Sequence, residues 1–239
     1  MNVFIIGGTS GIGLALASYY HLQGNRVGVC GRDLQKLADE SRFEKYQADV
    51  SNIVQLQNVI QQFAGERALS LLINCAGSYA EDVADDISYE EAETMLQTNI
   101  MGAVNCLEVG RKAMCHTGGQ IVLLASISGI LDYPESSLYT KTKRSVIQIA
   151  DAYRRALRPY GIAITTIAPG YVDTQKLRDL NHNDLSKKPF LVTEAQAVRE
   201  ITQAITEKKA LLLFPKQMKW LMRFLSYMPS FLLSKIMYK

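Results

Sequence analysis

The sequence predicts an α/β fold, a doubly wound and mostly parallel seven-stranded sheet with helices on both faces. Short apolar runs alternate with longer stretches of helical period, which is typical of strand–helix–strand units. Because most of these runs are apolar throughout, we expect strands buried on both faces. The predicted strands are residues 3–6, 27–30, 44–48, 69–73, 120–125, 162–168 and 211–214. The predicted helices are residues 12–23, 52–64, 90–115, 137–158 and 194–207.

Composition and charge are those of an ordinary globular protein. The chain has 239 residues, of which 48% are apolar and 21% charged, and its net charge is +3. A chain of this length buries roughly 70% of its unfolded surface, which excludes collagen-like, disordered and mini-protein classes. The small positive charge does not indicate a nucleic-acid protein. We expect a small-molecule substrate and no nucleic acid.

Cysteine usage and the first residues point to a cytoplasmic protein. No two cysteines have the spacing of a disulfide or a metal site, and Cys30 and Cys75 lie in apolar runs, where we expect core residues. The three histidines are far apart, and we predict no metal site. Residues 1–25 carry no charged side chain, but glycines interrupt the apolar run and no Lys or Arg precedes it. We therefore expect neither a signal peptide nor a membrane span there.

A glycine-rich loop follows the first predicted strand and opens the first helix. Its glycines, Gly7, Gly11 and Gly13, have the spacing GxxxGxG. Residues without Cβ allow a tight turn and let a pyrophosphate approach the backbone, and the amides at the helix N-terminus then face the phosphate charge. This placement favours a Rossmann-type dinucleotide site, although a tight turn alone would need the same glycines.

A second motif, YxxxK, lies near the start of the predicted helix 137–158. Tyr139 and Lys143 are four residues apart and share one helix face, so we expect the ammonium to lower the pKa of the phenol. A phenol with a lowered pKa can exchange a proton with a substrate oxygen. Ser126 ends the preceding strand and could hydrogen-bond that oxygen. Each residue alone has an ordinary structural explanation, since YxxxK occurs by chance in helices and serines often end strands.

Together these motifs resemble those of the short-chain dehydrogenases/reductases, whose glycine loop has the form GxxxGIG. The resemblance covers residues 3 to about 214 and departs from the family at Ile6, where the family has Thr, and at Cys75, where it has Asn. It implies cofactor contacts from the glycine loop, the third strand end, an NNAG-like motif and a PGxVxT-like segment. The residues concerned are Gly7, Thr9, Ser10, Gly11, Ile12, Gly13, Asp49, Val50, Asn74, Ala76, Gly77, Pro169, Gly170, Val172 and Thr174.

The resemblance also implies a reaction, hydride transfer between a nicotinamide and a carbonyl or secondary alcohol. Tyr139 would act as general acid and base, and Ser126 would hold the substrate oxygen. Lys143 would lower the pKa of Tyr139 and bind the nicotinamide ribose, and Asn99 would support a water relay to Lys143. The open alternative is a dinucleotide-binding regulatory or membrane-peripheral protein without turnover. Family resemblance further implies a homodimer or homotetramer.

The end of the second predicted strand bears on the choice of cofactor. Enzymes that use NAD place a carboxylate there for the ribose 2′-hydroxyl, whereas this chain has Gly31 followed by Arg32. A guanidinium pairs with a 2′-phosphate, so we expect NADP(H) to be preferred over NAD(H). The alternative is a solvated Arg32 that Asp33 partly neutralises.

Two segments lie outside these motifs. Residues 175–191 are polar and resemble the family's substrate lid. Residues 215–239 form a basic, apolar helical extension of the catalytic domain 1–214, and no acidic residue follows Glu207. On a helix over 216–228, Lys216, Lys219 and Arg223 would share one stripe opposite an apolar face. This segment either packs on its own domain or a partner subunit, covering the substrate pocket, or makes peripheral contact with a membrane.

Overall fold

A parallel sheet of seven strands forms the centre of the protein, which confirms the predicted fold class. The computed structural model describes residues 1–65, 67–80, 87–229 and 232–233. All neighbouring strands of the large sheet are parallel, in the order β3-β2-β1-β4-β5-β6-β9. These strands are β1 (Asn2–Ile6), β2 (Arg26–Gly31), β3 (Glu44–Gln47), β4 (Leu71–Asn74), β5 (Gly119–Leu124), β6 (Ile162–Pro169) and β9 (Leu211–Phe214).

The helices cover the sheet on both faces. Helices α1 (Gly11–Leu22) and α7 (Glu194–Thr206) pack on one face, around Leu16 and Ile201. On the other face, α2 (Ile53–Ala64), α4 (Gly102–Met114) and α5 (Leu138–Leu157) pack around a second apolar cluster. The central strands β1 and β4 are apolar and buried on both sides, whereas the edge strand β3 is polar and partly exposed.

The strand order places a crevice at the carboxyl ends of the strands. The chain leaves β1 toward β2 on one side, and β4 then pairs with β1 on the other side. The connections after β1 and β4 therefore lead to helices on opposite faces of the sheet, and ligands of doubly wound sheets bind at such a switch point.

The helix predicted over 90–115 is wrong as one regular helix. The chain forms α3 (Tyr89–Met95), a π-helical segment (Leu96–Met101) and then α4. Ser88 and Glu91 close the start of α3 with a reciprocal capping box. The π-helical turn contains the buried Asn99, and such turns frequently occur at functional sites.

Smaller elements lie beyond the large sheet. Strands β7 (Val172–Asp173) and β8 (Val192–Thr193), which the sequence did not predict, pair in parallel. Between them lies α6 (Gln175–Leu180), and after β9 comes α8 (Lys216–Leu225). Within the described ranges, no helix combines the length and apolar character needed to cross a bilayer. Nor do these ranges contain three metal-ligating side chains grouped so that they could hold a metal ion.

Replacing Phe63 with Ala should destabilise the fold by about 3–5 kcal/mol, because a buried aromatic side chain is removed from a packed core. Phe63 is fully buried, and its ring centroid lies 5.2 Å from that of Phe4. Chemical denaturation measures the free energy of unfolding. Val54 lies on the same helix but is 63% exposed, so Val54→Ala is the matched control. Equal losses in the two variants would contradict the assignment of this core.

Candidate active site

The glycine loop lies directly against the loop that follows β4. Gly7 has a positive φ of 73°, and a Cβ there would lie 2.6 Å from the backbone nitrogen of Ala76. A Cβ on Gly13 would lie 2.2 Å from the carbonyl oxygen of Gly7. Both positions therefore require glycine, because any side chain would collide with backbone atoms.

The first turn of α1 opens from this loop toward the crevice. Ser10 is the N-cap residue, but its side chain does not cap the helix. Gly11 has a positive φ of 49° and lies near the methyl group of Thr174, while Ile12 lines the crevice. The first-turn amides of such a helix can therefore bind an anionic group.

Three of the four predicted catalytic residues line one cavity of about 520 Å³ at the carboxyl ends of the strands. These residues are Ser126, Tyr139 and Lys143. The Ser126 hydroxyl hydrogen-bonds to Tyr139 and accepts a 3.0 Å hydrogen bond from the Ser128 hydroxyl. The Lys143 ammonium donates to the carbonyl oxygen of Leu124 at 3.2 Å and lies 5.7 Å from the centroid of the Tyr139 ring.

Asn99, the fourth predicted catalytic residue, lies behind the cavity wall. Its Oδ1 accepts from the Ser78 amide at 2.9 Å. Its Nδ2 donates to the Ser78 carbonyl oxygen at 2.9 Å and to Thr142 Oγ1 at 3.0 Å. Both amide protons are thus engaged, and one Oδ1 lone pair remains free to accept from a further donor. A Cβ on Gly77 would lie 3.2 Å from Lys143 Nζ and 3.6 Å from Asn99 Oδ1, so these two groups meet beside Gly77.

Burial shifts the pKa values of Tyr139 and Lys143 in opposite directions. It raises the pKa of Tyr139 to about 12, although the hydrogen bond from Ser126 acts in the opposite direction. Burial also lowers the pKa of Lys143 to about 8, and the charge of Lys176 adds to that effect. The expectation that Lys143 lowers the pKa of Tyr139 is therefore wrong for the protein by itself, because desolvation of the phenol raises that pKa.

The NNAG-like motif shapes the floor of the crevice. Asn74 is buried, accepts from the Ala76 amide at 3.0 Å and donates to the Gly102 carbonyl oxygen at 3.3 Å. Cys30 is buried as predicted, whereas Cys75 is only half-buried and lines the cavity. The sequence interpretation of Cys75 as a core residue holds in part, because Cys75 packs against the core but β4 ends at Asn74 and leaves Cys75 at the crevice.

Asp49 and Val50 follow β3 at the far side of the crevice. Asp49 Oδ1 accepts hydrogen bonds from the amide and hydroxyl of Ser51, at 2.9 and 2.7 Å. The Val50 side chain is buried against Gly102, and Asn105 donates to the Val50 carbonyl oxygen at 3.0 Å. Only the backbone of Val50 and the half-buried carboxylate of Asp49 are therefore available to a ligand.

The PGxVxT-like segment forms the opposite wall. Pro169, Gly170, Val172 and Thr174 all line the cavity. Gly170 donates its amide to the carbonyl oxygen of Phe214 at 2.8 Å, and Thr174 caps α6 by accepting from the Leu177 amide at 3.2 Å. The predicted lid begins with α6, whose side chains Leu177 and Leu180 close over the cavity.

A group of cations runs from the cavity to the end of β2. Arg32 is exposed, and it forms no ion pair with Asp33 or any other acid that the structure describes. Lys176 Nζ donates to the Gly77 carbonyl oxygen at 3.1 Å across the crevice. Burial, together with the charges of Arg32 and Lys36, lowers the pKa of Lys176. A Cβ on Gly31 would lie 2.8 Å from Thr9 Cγ2, so the Thr9 side chain fills the space that a carboxylate would need.

Some residues of the site escaped the sequence interpretation. Ser128 and Thr142 support Ser126 and Asn99, and Lys176 closes the crevice. A lysine in a polar segment has the same pattern whether it is solvated or faces a crevice, so the sequence held no signal for Lys176. The YxxTK pattern within the helix could have suggested Thr142, which lies three residues from Tyr139 and donates a hydrogen bond to its carbonyl oxygen at 2.8 Å.

Comparisons with known proteins agree with this geometry. The sequence model described as short chain dehydrogenase matches residues 1–185. An uncharacterized oxidoreductase of Staphylococcus aureus (strain USA300) is 29% identical over 217 residues, covering 86% of this chain and 90% of the relative. An uncharacterized oxidoreductase of Staphylococcus haemolyticus (strain JCSC1435) is 33% identical over 178 residues, covering 71% of this chain and 77% of the relative.

Two solved structures share the fold of this chain. ElxO with NADP bound has 26% identity and a TM-score of 0.79, covering 89% of this chain and 96% of that one. A short-chain dehydrogenase from Burkholderia cenocepacia J2315 in complex with NADP has 19% identity and a TM-score of 0.84, covering 98% and 96%, and shares the fold. From the family match over residues 1–185, the chain belongs to the short-chain dehydrogenases, nicotinamide-dependent oxidoreductases.

Proposed function

We propose that this protein is an NADPH-dependent reductase of carbonyl compounds, with Tyr139 as the general acid. The observation that carries the proposal is the cavity in which Ser126, Tyr139 and Lys143 meet at the carboxyl ends of the strands. A regulator without turnover would not need this set, so we do not favour that alternative.

The crevice has the shape and the donors that a dinucleotide requires. A Cβ on Gly7 or Gly13 would collide with backbone atoms, so these glycines keep the loop close to the crevice floor. We assign the pyrophosphate to the first-turn amides of α1, and the ribose next to the nicotinamide to Lys143 and Tyr139. When bound, the cofactor supplies the hydride that the carbonyl carbon accepts.

Tyr139 carries its proton at neutral pH because its pKa is about 12. It can therefore protonate an alkoxide as that charge develops on the substrate oxygen. Ser126 holds the same oxygen and hydrogen-bonds to Tyr139, while Ser128 fixes the Ser126 hydroxyl. Lys143 replenishes the proton of Tyr139 through the relay that Asn99 supports beside Gly77.

The cations at the end of β2 support the preference for NADPH. Arg32 has no acidic partner among the described residues, and Arg32 and Lys36 are both close enough to Lys176 for their charges to lower its pKa. A 2′-phosphate would relieve the repulsion among these like charges. Thr9 meanwhile blocks the place where NAD-dependent enzymes keep a carboxylate. NADP in the ElxO structure agrees with this preference.

The rest of the cavity favours a substrate with an apolar body. Its outer walls are aromatic and aliphatic side chains from the PGxVxT-like segment, the lid, the 127–131 segment and α8. They include Leu131, Tyr171, Leu177, Leu180, Met218 and Met222. Such walls bury hydrocarbon or ring surface, and we infer a ketone or aldehyde with an apolar substituent.

Replacing Tyr139 with Phe should reduce the rate of carbonyl reduction by about 10²–10⁴-fold while NADPH still binds, because only the transferable proton is lost. The readout is NADPH absorbance during turnover of any accepted carbonyl, with NADPH affinity from fluorescence. Tyr160→Phe is the control, since Tyr160 is exposed and far from the cavity. A rate above about a tenth of the parent rate would refute Tyr139 as general acid.

Replacing Arg32 with Ala should weaken NADPH binding much more than NADH binding, because only NADPH carries the 2′-phosphate. Dissociation constants of both cofactors, measured by fluorescence titration, provide the comparison. Arg155→Ala removes an exposed arginine on α5 and should change neither constant. Equal loss of NADPH and NADH affinity in Arg32→Ala would mean that Arg32 does not contact the 2′-phosphate.

NADPH affinity should fall as the pH rises above about 8, where Lys143 loses its charge. The affinity falls because only the charged form of Lys143 attracts the anionic cofactor. The lowered pKa brings this loss to a lower pH than in an ordinary lysine. The loss should approach about tenfold per pH unit above the pKa. Lys143→Met should bind weakly at all pH values without this inflection, and Lys112→Met, an exposed control, should keep it. An unchanged inflection in Lys143→Met would contradict the assignment.

A further inference from the structure

Helix α8 has two chemically different faces, and within the described residues only one of them packs against the rest of the protein. Its inner face packs through Met218, Met222 and Leu225 against Ile127 and Leu131. Met218 and Met222 also line the substrate cavity. This arrangement agrees with the sequence expectation that the C-terminal segment covers the pocket, and it leaves the opposite face of α8 without an assigned role.

The outer face combines exposed aromatic rings with cations. We define it as Lys216, Lys219, Trp220, Arg223 and Phe224, with Tyr227 following on the same side one turn later. Trp220, Phe224 and Tyr227 are 64%, 69% and 78% exposed. Single exposed apolar residues are common, but three adjacent aromatic side chains form a patch that calls for a partner.

The charges of this face restrict what that partner can be. None of its three cations forms an ion pair within the part of the chain that the structure describes, and the Arg223 guanidinium lies 5.9 Å from the centroid of the Trp220 ring. No acidic residue follows Glu207 in the sequence. A partner that fits must be negatively charged and must accept aromatic rings at its surface.

A second copy of this chain does not fit that description. In a two-fold dimer built on this face, the same patch occurs on both sides, so cations would face cations. A contact with an acidic region elsewhere on another copy would be heterologous and would leave further faces open.

We propose that the outer face of α8 docks on an anionic lipid surface. Trp and Tyr rings settle at the boundary between headgroups and acyl chains, and Lys and Arg bind the anionic headgroups. A helix of ten residues with this pattern lies in the plane of the interface. Because the inner face of the same helix lines the cavity, docking would bring the cavity wall to the membrane surface.

The chain itself supplies a reporter for this contact, because Trp220 is its only tryptophan. The full chain is mixed with vesicles of phosphatidylglycerol and phosphatidylcholine in equal parts, and with vesicles of phosphatidylcholine alone. We expect a blue shift of Trp220 emission with the anionic vesicles only, and quenching of this emission by brominated acyl chains. High salt should reverse the shift, because the Debye length falls to about 3 Å at 1 M ionic strength. No shift, or a shift that brominated lipid does not quench, overturns the proposal.

Charge reversal then tests the face itself. Each cation near an anionic surface contributes about fivefold in partitioning, so Lys219→Glu with Arg223→Glu should lower vesicle binding by at least about 25-fold. The matched control, Arg155→Glu with Arg158→Glu, makes the same change in net charge at exposed positions near the end of α5. Equal loss in both variants means attraction by overall charge and overturns the proposal. A blue shift that depends on protein concentration without lipid would assign the face to a second copy and also overturn it.

Discussion

The buried amide of Asn99 is the contact on which the catalytic side of the cavity depends. Asn99 lies in the π-helical turn before α4, and its hydrogen bonds reach the backbone of Ser78 and the hydroxyl of Thr142. It therefore joins the loop after β4 to α5, the helix that carries Tyr139 and Lys143. In the π-helical turn this side chain reaches both partners, and such turns frequently occur at functional sites.

A second constraint acts on the cofactor side of the crevice, where two loops meet without room for side chains. Gly7 approaches the backbone of Ala76, and Gly13 approaches that of Gly7. Because these positions must be glycine, they place no side chains on the crevice floor. Two lysines beside the floor supply positive charge. Lys143 and Lys176 both have lowered pKa values because of burial, so an anionic ligand would stabilise their charged forms.

The sequence predicted the parts of the structure that depend on periodicity and on short motifs. All seven strands were expected, and 211–214 has the observed limits. Ser126, Tyr139 and Lys143 share a cavity as expected, because their spacing follows from one strand end and one helix face. The π-helical turn was missed since it has no period of its own, and strands β7 and β8 were missed because two-residue strands carry no pattern.

Effects of burial were also beyond the sequence. Spacing indicated that Lys143 lies near Tyr139, but not that desolvation would dominate both pKa values. Lys176 likewise belonged to a polar segment, and only the folded chain brings it to the Gly77 carbonyl oxygen. The basic stripe of residues 216–223 was visible in the sequence, whereas the division of α8 into a cavity-lining face and an exposed aromatic face required the structure.

The proposed reaction passes a hydride from NADPH to a carbonyl carbon in the cavity beside Tyr139. The test supplies the enzyme with NADPH that carries deuterium at both C4 positions of the nicotinamide and with a panel of ketones, aldehydes and 3-oxoacyl thioesters, followed by mass spectrometry of the alcohols. An accepted substrate should gain one deuterium at the carbinol carbon, with the hydroxyl proton drawn from solvent. Alcohol formed without deuterium, or no alcohol from any carbonyl while NADPH is bound, would contradict it.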